Sequence, residues 1–207
     1  MPAHWNPFGP LDVTAPETPA TPYQRRRAET EAGLCRAALD RGGVAAGEVS
    51  SREVGPGCSL AGTVEARGVG ETRVAPVVLA CPVALRLAQW ERHDLQRLAA
   101  AHLASPVVRI LHLGGFACRR IRTDSGPGQR MSQHATANAF DIAGFVLADG
   151  RRVRLPEDWG SGTREGRFLE AVQTSLCRRF NTVLGPRFNR AHANHFHVDL
   201  GPWRSCR

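Results

Sequence analysis

The run His195-Phe196-His197-Val198-Asp199-Leu200 alternates polar and apolar side chains, and it restricts the possible folds more than any other stretch of the chain. Strand side chains point to opposite faces at successive residues, so His195, His197 and Asp199 share one face and Phe196, Val198 and Leu200 the other. The apolar face predicts a strand laid on a core. The polar face predicts a site, because a buried imidazole or carboxylate costs free energy unless it has a partner. Surface histidines on an edge strand are the plainer explanation of such a pattern, and a second segment upstream argues against it.

That segment is Ser132-Gln133-His134-Ala135-Thr136-Ala137-Asn138-Ala139-Phe140-Asp141. His134 and Asp141 are spaced to suit either two turns of helix or a loop that leads into a strand. Ala139 to Val146 is rich in β-formers, so loop plus strand is the better reading. Alone, a histidine and an aspartate at this spacing carry little weight. Joined to His197 they form a set of nitrogen and oxygen donors of the size a catalytic zinc takes when it keeps one position open. A structural zinc is instead closed by protein ligands on every side, usually cysteines. The expected cofactor is therefore Zn2+ held by His134, Asp141 and His197. His195 or His192 is expected to move protons, since an imidazole titrates near neutral pH. Asp199 is expected to hold the second ring nitrogen of a histidine, with Ser132 as a further support behind the ligands. Arg119 and Arg122 precede the first segment and are candidates to clamp a substrate carboxylate through paired hydrogen bonds. A solvated surface position is the competing reading for each.

Six cysteines, at 35, 58, 81, 118, 177 and 206, are even in number, widely spaced and free of any Cys-x-x-Cys pair. That pattern predicts disulfides in an oxidising compartment, not a zinc-thiolate site, with the bacterial periplasm or cell envelope as the expected location. Among the possible pairings Cys177 with Cys206 is favoured, because it ties a predicted helix to the chain end just past the catalytic strand.

The formal charge is +8, and all 27 basic residues are arginine. Codon bias toward arginine explains the absence of lysine; the functional reading is attraction to a polyanion. No helix-turn-helix, zinc-finger or RNA-binding motif accompanies the charge, so no specific nucleic acid is expected. A cell wall bearing carboxylates and phosphates suits the charge equally well. Residues 1–24 are rich in Pro, Ala and Thr and contain no apolar run long enough for a signal peptide or a membrane helix. They are expected to form an extended linker ahead of a folded domain spanning 25–207, with the export signal absent from this chain.

Arg25–Arg41 is predicted as a helix and 43–75 as short strands and turns. Cys81-Pro82 opens the clearest helix, in which Val83, Leu85, Leu87, Trp90, Leu95, Leu98 and Leu103 recur at roughly helical spacing. Pro106 should end it. Val107–His112 and Gly114–Arg122 read as strands, Thr123–Arg130 as a Gly/Pro loop, Ala148-Asp149-Gly150 as a hairpin turn and Thr163–Arg179 as a helix. Together these predict an α+β fold: a mostly antiparallel sheet carrying the metal site, framed by several helices and stapled by disulfides.

Ser132-x-His134-x-x-Ala137-x-Ala139-x-Asp141 resembles the Ser-x-His-x-x-Gly-x-Ala-x-Asp signature of the D-alanyl-D-alanine metallopeptidase, lysostaphin and hedgehog-like group, and His195-x-His197 resembles that group's second signature. His192-x-x-His195-x-His197 is similar to the spacing in its penicillin-insensitive murein endopeptidases. From about Trp5 to the end, the chain most closely resembles the bacterial extensin-like C-terminal domain family. The shared landmarks are Trp5-Asn6-Pro7, Cys35, Cys58, Cys81-Pro82, Cys118-Arg119, Cys177, Leu184-Gly185-Pro186 and the two metal segments, 132–141 and 192–199. The resemblance implies the same fold and a zinc-dependent peptidase that hydrolyses amide bonds in the peptide cross-links of peptidoglycan, its expected partner. Contact with a membrane is expected only through an anchor absent from this chain. A non-catalytic metal- or wall-binding module with a hedgehog-like zinc site is the alternative. Two residues depart from the group's pattern. Ala137 stands in place of a glycine, and Asn194 in place of the glutamate base of the dipeptidase branch. An amide cannot accept a proton at neutral pH, which leaves His195 and His192 for that task.

Overall fold

The computed structural model describes residues 2–123 and 126–207. Two short helices, α1 (Thr21–Thr30) and α2 (Ala32–Arg41), lead into β1 (Ala46–Glu48), a small hairpin of β2 (Glu53–Gly55) and β3 (Cys58–Ser59), and a long hairpin of β4 (Thr63–Val69) and β5 (Thr72–Ala80). The single helix predicted for Arg25–Arg41 is broken at Glu31, whose backbone is extended at φ −117° and ψ 106°. Next comes α3 (Cys81–Trp90), with Pro82 in its first turn, where a missing N–H leaves no bond unmade. A π-helical stretch, Glu91–Leu95, joins it to α4 (Gln96–Leu103). The chain continues as β6 (Val107–Gly114), β7 (Arg120–Thr123), β8 (Gly126–Met131), β9 (Ala139–Leu147), β10 (Arg152–Arg154), α5 (Arg164–Arg179), β11 (Thr182–Leu184), β12 (Phe196–Asp199) and β13 (Ser205–Cys206).

Two sequence expectations fail around β7. The strand predicted from Gly114 begins only at Arg120, because the intervening residues carry the Cys118 disulfide and a close approach of Gly115 to β5. The predicted Gly/Pro loop is largely strand, since Gly126–Met131 pairs with β7 in a separate two-stranded sheet. Such an isolated ribbon tolerates Gly and Pro as a central strand would not. Asp124 and Ser125 of that expected loop lie outside the described residues.

Nine strands form the main sheet in the order β1-β4-β5-β6-β9-β12-β11-β13, with β10 also on β9. The β5–β6 and β11–β13 pairs are parallel and the other neighbours antiparallel, which gives the expected α+β architecture. The core lies between this sheet and the helices. Trp90 of α3 and Phe168 of α5 both meet Phe145 of β9, at 6.4 and 5.4 Å between ring centroids. Trp90 Nε1 donates to Ser175 Oγ at 2.8 Å, so the one polar atom of that indole is satisfied within the core.

β9 positions the site. β6 runs along one of its edges, while β12 and β10 lie end to end along the other. Between Ile142 and Gly144 the ladder with β6 slips, leaving Ala143 as an extra residue. Before the slip Phe140 and Ile142 face the core, and after it Phe145 and Leu147 do. Asp141 and Val146 therefore share the outward face despite their opposite parity. Gly144 permits the bulge, because a Cβ there would stand 2.5 Å from the carbonyl oxygen of Val153.

Three disulfides staple the fold, and no cysteine is free among the described residues. Cys35–Cys81 joins α2 to α3, Cys58–Cys118 joins β3 to the segment before β7, and Cys177–Cys206 joins α5 to β13, the last as the sequence predicts. By loop-closure entropy each destabilises the unfolded chain by about 4 kcal/mol.

Residues 2–24 are not an extended linker. Leu11 and Val13 belong to the core cluster. The segment's carbonyls are held on both sides: from the rest of the domain Arg41 donates to Leu11 O and His93 Nε2 bonds Val13 O at 3.0 Å, and from the segment's own end, in α1, Gln24 Nε2 donates to Ala3 O and Asn6 O. Two apolar residues dock a Pro-rich strip once its backbone is satisfied in this way. No helix of the described residues is long and apolar enough to cross a membrane.

Candidate metal centre

Asp141 and His197 are directly opposite partners in the antiparallel β9–β12 ladder, so their side chains leave the same face side by side. Phe140, Ile142, Phe196 and Val198 anchor both strands in the core behind them. His134 arrives from a 3-10 turn, Gln133–Thr136, whose first N–H groups need a cap. Ser132 supplies it: its Oγ accepts from the His134 N–H at 3.3 Å. The turn ends at Ala137, which is left-handed at φ 53° and ψ 19°, and this reversal sends the chain into β9. Loop plus strand, not helix, thus brings His134 to Asp141.

Three donor atoms meet. His134 Nε2 lies 3.1 Å from His197 Nδ1 and 3.2 Å from Asp141 Oδ1, and His197 Nδ1 lies 2.9 Å from that same oxygen. The outer partners of both rings determine what these atoms carry. His134 Nδ1 donates to the carbonyl of Gly115 at 2.8 Å, so the neutral ring turns a lone pair on Nε2 toward the centre. His197 Nε2 donates to Asp199 Oδ2 at 3.0 Å, which leaves the Nδ1 lone pair of the neutral ring pointing inward. Two nitrogen lone pairs and a carboxylate oxygen facing one another repel unless a positive charge stands between them.

A proton can take that role. Burial disfavours a charged His197, yet its hydrogen bonds to Asp141 and Asp199 outweigh this and raise it to about 9. Burial likewise opposes the Asp141 carboxylate, and the His134 and His197 imidazoles more than reverse it, holding the group far below the usual carboxylate range. A metal cation serves the same three atoms better than one shared proton. Donors on a tetrahedral zinc at ~2.0–2.1 Å stand roughly 3.3 Å apart, close to the separations of 2.9 to 3.2 Å found here. The buried His134, Asp141 and His197 group can hold a metal ion.

The other predicted residues fall around this group. His195 is buried on the same side as His197, with Nε2 3.6 Å from Asp141 Oδ1, outside the triangle. Its Nδ1 bonds Asn194 Oδ1 at 2.9 Å, so the neutral ring presents the Nε2 lone pair to the centre. Burial lowers the proton affinity of His195, against the pull of Asp141. His192 sits on a 3-10 turn, its ring 5.2 Å from that of His195 and 5.8 Å from that of His197. Burial, then the neighbouring imidazoles, lower it to about 4. Arg119 is half-buried, its guanidinium donates to Arg120 O at 3.3 Å, and its charge acts on Asp141, His192 and His195. Arg122 is exposed and acts on Arg119, with no contact to the metal group among the described residues.

Three supports carried no legible signal. The Gly115 carbonyl is a backbone atom, although the glycine itself is required, since a Cβ would lie 2.4 Å from Val78 O. Asn189 Oδ1 holds His192 Nδ1 at 2.6 Å. Asn194, conspicuous in the sequence as a missing base, is instead the residue that orients His195.

Comparison with curated proteins and with solved structures gives no match. Residues 33–207 match the family model described as Extensin-like protein C-terminus. That match spans most of the chain and contains the whole His134, Asp141 and His197 group, and the protein is a member of the extensin-like protein C-terminus family.

Proposed function

We propose that the protein is a zinc-dependent peptidoglycan peptidase of the bacterial periplasm or cell envelope, an endopeptidase that hydrolyses amide bonds in peptide cross-links. The observation that carries this reading is the convergence of His134 Nε2, His197 Nδ1 and Asp141 Oδ1 beside a fourth polar atom, His195 Nε2, held 3.6 Å from Asp141. Two imidazoles and one carboxylate favour zinc over calcium or magnesium, which prefer all-oxygen shells. When bound, zinc supplies Lewis-acid polarisation of a carbonyl and acidification of water.

The chain's own residues do the rest. His134, Asp141 and His197 hold the ion, with Gly115 O and Asp199 fixing the two imidazole tautomers. His195 accepts a proton at Nε2 and returns it to the departing amine, while Asn194 Oδ1 keeps Nδ1 out of the exchange. Arg119, whose charge acts on Asp141, His192 and His195, binds a carboxylate of the peptide.

One observation favours a second reading, a non-catalytic metal- or wall-binding module: position 194 offers an amide where the dipeptidase pattern has a carboxylate. Incubating the metal-loaded protein with isolated muropeptides and reading products by mass spectrometry separates the two. Cleaved cross-links are expected. Intact muropeptides with one zinc bound per chain would favour the module. His197→Gln should abolish both zinc and cleavage, and full zinc retention by that variant would show the ligand set to be wrong.

A further inference from the structure

Away from the metal centre, the outward face of the sheet carries a line of arginines in register across four adjacent strands. Arg73 of β5 is the ladder partner of Arg109 of β6; Arg109 partners Val146 of β9; Val146 partners Arg152 of β10. Ladder partners project from one face, so the three guanidinium groups share it, and all three residues are exposed. Together with Glu71, Val108 and Val146 they line a cleft of about 510 Å³. The side chains of Arg73, Arg109 and Arg152 make no hydrogen bond or ion pair among the described residues. Glu71, the one acid in the cleft, points 3.5 Å from Arg92 instead. Like charges directly opposite across strands destabilise a sheet, so a fold that keeps Arg73 opposite Arg109, with Arg152 beyond Val146 in the same row, has a use for the charge.

Because of the bulge at Ala143, Val146 and Asp141 lie on the same face of β9. The arginine line and the metal centre therefore lie along one surface, five residues apart on one strand, or ~16 Å at the rise of a strand. Arg154, the partner of Gly144, falls between them with its Nε buried and unbonded. An extended peptide has the same rise per residue, so a carboxylate several residues from the bond at the metal reaches the line. Guanidinium forks fit carboxylates with two parallel hydrogen bonds. The cleft has no aromatic side chain on which a base could stack, which disfavours single-stranded nucleic acid.

We infer that the Arg73–Arg109–Arg152 line is a docking surface for the carboxylate-bearing stem peptides of peptidoglycan, holding the polymer while one cross-link reaches the metal centre. This rests on the peptidoglycan reading above, but its test is binding, not cleavage. Retention of the full chain on purified sacculi freed of attached polymers is measured against salt, for the wild type and for R73Q/R109Q/R152Q. The triple variant should bind about tenfold more weakly or worse, and its retention should lose the steep salt dependence of the wild type. Zinc content and the circular dichroism spectrum report whether the variant is folded. Sacculi whose carboxylates have been amidated should hold the wild type no better than they hold the variant, an arm that needs no substitution. Equal retention of both proteins, or wild-type binding indifferent to amidation, overturns the inference. So does tighter, arginine-dependent retention on single-stranded or duplex nucleic acid, which would make that polymer the occupant. Arginine-dependent retention without cleavage of soluble muropeptides would defeat the peptidase reading alone.

Discussion

The two faces of β9 and β12 are built on opposite principles. Toward the helices, Phe140, Ile142, Phe145, Leu147, Phe196 and Val198 are 0–1% exposed, and no single partner is indispensable, because apolar burial is non-directional. Toward the site, Asp141, His195, His197 and Asp199 are 5–9% exposed, and each depends on particular polar atoms: His195 on Asn194 Oδ1, His197 on Asp199 Oδ2, and Asp141 on the imidazoles of His134 and His197. Burying an aromatic side chain adds ~2–3 kcal/mol. Burying a charged group costs several kcal/mol before its partner restores any of it. One face carries the stability and the other carries chemistry that the first must offset, so mutation should separate them.

The sharpest way to break this division is to cut into the core face. Phe140→Ala should cost ~3–5 kcal/mol in denaturant unfolding, the usual range for emptying a buried aromatic position. Zinc uptake should fall only as the folded fraction falls. A Phe140→Ala protein that stays stable yet loses its zinc would show the two faces to be coupled.

On the outward face the expectation reverses. His195→Gln should lower the cleavage rate by ~10²–10⁴-fold, the usual contribution of a positioned acid–base group. Zinc content should be retained and the unfolding midpoint should barely move. His192→Gln should do less, because its ring bonds Asn189 and makes no hydrogen bond or ion pair with His134, Asp141 or His197 among the described residues. Loss of zinc from His195→Gln would make that residue a fourth ligand and close the site.

A smaller effect follows from the proton that the metal group holds. His197, raised to about 9, is protonated in the metal-free protein at neutral pH, and a ligand must lose its proton to bind zinc. Zinc uptake should therefore release about one proton per ion between pH 7 and 8 and strengthen by about tenfold per pH unit, levelling off near pH 9. Calorimetry in buffers of different ionisation enthalpy reads the proton count directly. Uptake with no proton released would mean that His197 is neutral in the metal-free state, with Asp199 not acting on it as its position implies.

The same contrast explains what the sequence reveals. Alternation at 195–200 predicts the anchored strand and its two faces because both follow from strand periodicity alone, and α3 is legible from Pro82 and its apolar spacing. The Cys177–Cys206 bond is legible because the segments it joins were recognisable elements. The bulge at Ala143 is not: Ala139–Val146 reads as one uninterrupted strand, and only the slip against β6 shows that Asp141 and Val146 share a face. Nor is the packing of Leu11 and Val13, since Pro-rich composition suggests a linker while the hydrogen bonds that dock it come from Arg41, His93 and Gln24. Supports given by backbone atoms, such as Gly115 O, leave no mark on composition. Single-element features are written in the local pattern, whereas features that arise between elements are not.

The smallest expected effect lies at Ala137, which closes the turn leading into β9. Its left-handed backbone costs alanine ~1–2 kcal/mol, and the glycine usual in related signatures would avoid that. Glycine would lose ~0.5–1 kcal/mol through the freedom of the unfolded chain and about 0.8 kcal/mol through the lost burial of a methyl group, which is fully enclosed here. These contributions nearly cancel, so Ala137→Gly should shift unfolding by less than about 1 kcal/mol and leave zinc content unchanged. Ala137→Val should not be tolerated in the same way, because a β-branched residue is a steric outlier at positive φ. That variant should lose stability and zinc together, since the Ala137 N–H bonds the carbonyls of Gln133 and His134 and so closes the turn that aims His134. A Gly variant that weakens zinc as much as the Val variant does would show that the buried methyl, not the backbone reversal, positions the histidine.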